Sequence, residues 1–168
     1  MAYDSAPSAT HNPATGGTPT AAWGDILNAN FAYLGQAWTS FTPTWTGSGG
    51  NPAIGNGTLA GAYLQIGKTL HLRIWMKAGT TTTFGSGTWD FLLPNSLAVS
   101  SAYTQTLHVF AIDNGTANYS DAAYIGLGGI TTTLRVAQTG GTGSYGSAVP
   151  FTWTTSDELA IEGTLEVA

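Results

Sequence analysis

The chain has 168 residues, 42% of them hydrophobic, with 6 Trp, 7 Tyr and 6 Phe, yet only 8% are charged and the net charge is −5. This length suits one domain with an appendage, and the aromatic content excludes a disordered chain, which needs few aromatics and high charge. With only four cations, Lys68, Arg73, Lys77 and Arg135, the chain lacks the basic surface that nucleic acid requires, and with no cysteine it has neither disulfides nor thiolate metal ligands.

Residues 1–17 are small and polar and are broken by Pro7, Pro13 and Gly16-Gly17, so they are expected to form an extended arm without a core of its own. They contain no apolar signal region, and no run in the chain approaches a membrane span. The expectation is a protein made in soluble form, without membrane insertion.

Residues 18–38, TPTAAWGDILNANFAYLGQAW, carry helical periodicity. Trp23, Leu27, Phe31, Leu34 and Trp38 follow at steps of four, four, three and four, which places them on one apolar stripe. Pro19 suits a first turn, Thr18 or Thr20 can cap it, and Gly35 can end it in a left-handed conformation. A helix of roughly 15 residues is marginal alone in water. The stripe is therefore expected to pack on the chain's own β domain, on copies of itself or on a larger assembly, and residues 1–38 are assigned to attachment or oligomerisation, with the stripe as the candidate interface.

Residues 39–168 read as a β domain. Phe41–Thr46 suits an edge strand because it contains Pro43, and a glycine-rich loop follows it. Leu59–Ile66 and Lys68–Lys77 are expected to be strands joined tightly at Gly67. In the second, Leu70, Leu72, Ile74 and Met76 alternate with His71, Arg73, Trp75 and Lys77, so the first set is expected to face the core and the second to face outward. Further strands are expected at 81–84, 88–93, 103–113, 117–127, 131–138, 149–155 and 158–167, with Asn114-Gly115 forming a type I′ hairpin turn. This spacing predicts a mainly β fold, an antiparallel sandwich of jelly-roll character.

The segment Ala62–Thr69, AYLQIGKT, ends like a phosphate-binding loop. It has alanine where the first glycine is needed, and its middle is apolar and strand-like, so strand-turn-strand is the better explanation. His71 and His108 lie opposite the apolar alternation of their strands, without the close ligand spacing of a metal site. Neither a metal nor another cofactor is expected. Asp90, Asp113, Asp121, Asp157, Glu158, Glu162 and Glu166 offer material for a glycosidase pair, but solvated turn and strand-end positions are the commoner fate of such residues. No GxSxG motif occurs, and an enzyme is not expected. The most informative group is the face carrying His71, Arg73, Trp75 and Lys77. It suits a glycan or protein contact as readily as an ordinary solvent face, and Trp45, Tyr119 and Tyr145 pose the same choice near loops.

The order of a polar arm, TAAWGDILNANFAYLG, WTSFTPTWTG, NPAIGNGTLAGAYLQIGKTLHLRIWMKAG and FGSGTWDFLLP resembles small tail-associated virion proteins of bacteriophages and prophages, of the minor tail or tail-fibre kind. The likeness covers roughly residues 13–94, and its best-marked pieces are Asn28-Ala-Asn30-Phe31 and the stretch Gly61–Lys68. The resemblance implies a non-enzymatic homotrimer that joins other virion proteins through residues 1–38 and displays its β domain toward host-surface glycan. A head-decoration, cement or head-fibre protein is the alternative, and a glycan-degrading enzyme a more distant one.

Overall fold

The computed structural model describes residues 28–29, 31–32, 35–141 and 143–168. Asn28, Ala29, Phe31 and Ala32 are helical, and the Gly35 N–H donates to the Phe31 carbonyl at 2.9 Å. Residues 36–38 have no regular structure, so helix does not continue to Trp38 as expected, and Gly35 closes the turn without a left-handed φ. Phe31 is 68% exposed. Trp23, Leu27 and Leu34 lie outside the described residues. Contacts divide the chain after Ala37 into two units, the second being Trp38–Ala168.

Within that unit the strands are β1 (Thr39–Phe41), β2 (Trp45–Gly47), β3 (Thr58–Ile66), β4 (Thr69–Lys77), β5 (Trp89–Leu92), β6 (Gln105–Asp113), β7 (Ala117–Ile125), β8 (Thr133–Ala137) and β9 (Glu158–Glu166). The described residues form one 9-stranded sheet in the order β1-β3-β4-β9-β6-β7-β8-β5-β2, antiparallel throughout. β1 and β2 occupy opposite edges, yet only residues 42–44 connect them. Four Cα steps reach at most about 14 Å, so the two edges lie close and the sheet curls around its core. This is the mainly β, sandwich-class architecture that the strand spacing predicts. Its ladder runs as one continuous sheet among the described residues.

Alternation decides what fills the interior. Leu70, Leu72, Ile74 and Met76 of β4 are buried, together with Leu159, Ile161 and Leu165 of β9 and Val109 of β6. Aromatic residues fill another part of the same core: Trp89 meets Trp45 edge-on with centroids 4.7 Å apart, and Trp153 lies 5.1 Å from Trp89. Trp45 and Tyr145, candidates for glycan contact in the sequence, belong to this interior. The β3–β4 hairpin turns on Gly67-Lys68, with Ile66 opposite Thr69, so AYLQIGKT is a strand-turn-strand. Gly67 has φ +59° at the first central position, the place that a type II′ turn gives to glycine.

Three expectations need correction. Residues 81–84 make only an isolated bridge, Ala53 to Thr83. There the side chain of Asn56 accepts from the Thr81 N–H at 2.9 Å and Thr81 Oγ1 accepts from the Asn56 N–H at 2.8 Å, so side chains satisfy the backbone where a ladder was expected. Residues 149–155 bond locally, Trp153 N–H to the Ser147 carbonyl at 3.2 Å and the Trp153 indole to the Val149 carbonyl at 3.1 Å, while Phe151 and Trp153 plug the core. The Asn114-Gly115 hairpin exists, but as a three-residue connection between Asp113 and Ala117 in which Gly115 alone is left-handed, φ +82°. The geometry is therefore not type I′. Buried Asp157 braces this end of the sheet, accepting from the N–H groups of Asn114 at 2.9 Å and Thr154 at 2.5 Å.

Candidate functional site

β4 is central in the sheet, so each outward side chain on it has a neighbour on β3 and another on β9. Arg73 stands between Ala62 and Glu162, His71 between Leu64 and Thr164, and Trp75 between Ala60 and Ala160. The outward placement of His71, Arg73, Trp75 and Lys77 follows the alternation read from the sequence. The alanines beside Trp75 do not shield the large side chain between them, and the indole remains 41% exposed.

The structure separates these four residues into two groups. Trp75 and Lys77 converge on one carboxylate: the indole N–H donates to Glu158 Oε2 at 3.1 Å and Lys77 Nζ donates to Oε1 at 2.8 Å. These bonds hold Glu158 below the usual carboxylate range, the Lys77 bond contributing most, against the opposing effect of partial burial and with further help from Trp75. His71 and Arg73 instead join Trp38. The Arg73 guanidinium carbon lies 4.4 Å from the centre of the Trp38 ring, a cation–π contact, and the His71 ring lies 6.5 Å away at a tilt. Trp38, expected on the helical stripe, thus packs on the outer sheet face of its own β unit.

Trp38, His71, Arg73, His108, Glu162 and Thr164 line a shallow groove of about 350 Å³. Register assembles it: Arg73 of β4, Glu162 of β9 and His108 of β6 occupy one row across three adjacent strands. Arg73 and Glu162 are opposite each other without forming an ion pair; among the described residues the ion pairs are Lys77–Glu158 and Arg135–Asp90. Guanidinium donors and carboxylate acceptors are thus both available to a ligand. Thr164 Oγ1 is 3.2 Å from His71 Nδ1, and Ser120 Oγ is 3.0 Å from His108 Nε2, so each imidazole is oriented by a hydroxyl and keeps its other nitrogen for a ligand. Such a groove can bind a hydroxylated ring through matched donors and acceptors beside an aromatic wall.

Sequence reasoning missed Glu162 and Thr164 as parts of this site and placed His108 only on an outer face. Their neighbours on β4 lie some ninety residues earlier in the chain, Thr164 being 93 residues from His71, and only the β4–β9–β6 ladder brings them together. The remaining carboxylates of interest have other partners. Asp90 accepts two bonds from Arg135, at 2.9 and 2.8 Å, and Asp121 accepts from the Thr139 N–H and hydroxyl and from the Tyr145 hydroxyl at 2.7, 2.8 and 2.7 Å. Among the described residues no group of three or more His, Asp or Glu is placed to hold a metal, and no helix is long and apolar enough to cross a membrane.

No family model matches the chain, and no curated protein matches it. Its fold is similar to part of a solved structure, the crystal structure of Dettilon tailspike protein, with a TM-score of 0.53 at 14% sequence identity. The match covers 79% of this chain and 24% of the tailspike, so the chain corresponds to under a quarter of that protein's length.

Proposed function

We propose that this chain is a non-enzymatic structural protein of a bacteriophage virion, of the tail-fibre or minor-tail kind, whose β domain attaches to host-surface glycan. The observation that carries the reading is the fold likeness to part of a tailspike protein, which extends over 79% of this chain. The tail-protein resemblance of residues 13–94 points the same way. The Trp38–Arg73–Glu162 groove supplies the chemistry, because a sugar offers an apolar ring face to an indole and hydroxyls that both donate and accept. In this reading the protein is made soluble in the host cytoplasm and assembles as a homotrimer, joining other virion proteins through residues 1–38.

The test is binding of the full chain to an array of bacterial envelope polysaccharides, with Arg73→Ala beside the unaltered protein. The reading expects binding to at least one polysaccharide and a loss of about tenfold or more in the variant, since hydrogen bonds to a charged group are worth about 1.5–3 kcal/mol. Binding to none, or equal binding by the variant, contradicts it. The assembly is tested separately by native mass: a trimer is expected, and Phe31→Asp is expected to dissociate it. A trimer that survives this change would remove the stripe from the interface.

A further inference from the structure

A second groove lies on the same sheet. β8 pairs with β7 only from Tyr124 to Ala122, which leaves residues 117–121 without a strand partner on that side. The chain leaving β8 passes over this gap, held where Thr139 donates through its N–H to Asp121 Oδ1 at 2.7 Å and through its hydroxyl to the Ser120 carbonyl at 3.3 Å. A groove of about 450 Å³ results, lined chiefly by Asn118, Tyr119, Ser120, Asp121 and Gln138.

Its chemistry differs from that of the first groove. None of the four cations lines it, so nothing there selects an anionic ligand. Asn118 and Gln138 both line the groove, and neither carboxamide makes a hydrogen bond among the described residues. A carboxamide presents a donor and an acceptor side by side, which complements neighbouring hydroxyls that each donate and accept. Asp121 is already committed to Thr139 and Tyr145, whereas the two amides are available to a ligand. Tyr119 also lines the groove, with its ring stacked on Phe151 at the edge of the core, centroids 5.1 Å apart.

The two grooves touch. His108 lines the first and Ser120 the second, and His108 Nε2 lies 3.0 Å from Ser120 Oγ. We infer that the second groove is a subsite for a neutral sugar bearing vicinal hydroxyls, and that one oligosaccharide runs from the Trp38–Arg73 groove across the His108–Ser120 pair into it. The inference rests on the glycan-attachment reading and extends it from a point contact to a track across the sheet.

The experiment uses fragments of neutral bacterial O-polysaccharide, fractionated by length, titrated into the full chain and into Asn118→Ala and Gln138→Ala variants. Affinity is expected to rise with fragment length to a plateau. Each variant is expected to lose about three- to tenfold at the plateau, the value of one hydrogen bond of ordinary to good strength, with short-fragment affinity unchanged. Because neither carboxamide has a partner in the fold, both variants are expected to keep the native Tm. A length-dependent rise that persists unchanged in both variants overturns the subsite. Short fragments that bind through Arg73 without any gain from length overturn it too, while leaving the attachment reading intact. Failure of every neutral fragment to bind overturns the neutral subsite, while the attachment reading is decided by the polysaccharide array.

Discussion

Asp90 and Arg135 face each other directly across β5 and β8, and their side chains, 19% and 29% exposed, meet through two charge-assisted bonds. The carboxylate raises the guanidinium pKa above its ordinary value, chiefly through that hydrogen bonding. Asp90→Ala leaves Arg135 without its ion-pair partner at a partly buried place, and a loss of about 1–3 kcal/mol in unfolding free energy is expected by urea denaturation. Asp121 gives a pH signature. Partial burial pulls its carboxyl upward, but bonds from the Thr139 N–H, the Tyr145 hydroxyl and the Thr139 hydroxyl outweigh this and hold it below the ordinary value. Tyr145 is raised by burial first and by its bond to Asp121 second. A depressed carboxyl releases its proton more readily in the folded chain than in the unfolded one. Its stabilisation is therefore complete above the ordinary carboxylate range and lost as pH falls through the lower folded value. Glu158 has the same sign. Unfolding free energy is expected to decline below about pH 4, and Asp121→Asn is expected to flatten that decline in denaturation curves taken across the acid range. These partners were not legible in the sequence, because Lys77 is 81 residues from Glu158 and Arg135 is 45 from Asp90.

β4 is the element that the sequence describes best. Its period-two pattern settles which side chains enter the core and which face out, because a one-residue slip would expose four large aliphatic residues. The segments at 81–84 and 149–155 look equally strand-like in composition. What separates them is the destination of their backbone hydrogen bonds: the first bonds to the Asn56 side chain and, through Thr83, to Ala53, the second to its own neighbours, and neither fact has a local signature. Pro43 was legible as an edge residue, but its consequence was larger than an edge: the chain on its two sides goes to opposite edges of the sheet. The loop after β2 is held closely against residues 85–88, where Gly85 has φ +62° and a Cβ would run into the Gly50 carbonyl. Gly85→Ala is expected to cost about 1–3 kcal/mol, from left-handed backbone and backbone collision together, read as a lowered Tm. An unchanged Tm would mean that this loop contributes little to the fold.

At the scale of the whole molecule, the candidate site is a product of strand order. β9, the last strand, enters between β4 and β6, and this insertion puts Glu162 between Arg73 and His108. The sequence supplied two of the groove's residues as members of one face and Trp38 as a member of another element. The topology joined them. A charge-poor, strand-rich body was legible from composition alone, whereas the groove was not, since its rows run perpendicular to the chain.

In the proposed function this groove attaches the protein to bacterial glycan. Its most direct test is a structure of the full chain with a polysaccharide fragment selected from the envelope array. A sugar ring is expected in the groove, in contact with Trp38, Arg73 and Glu162. A fragment bound elsewhere on the domain, with that groove empty, would contradict it.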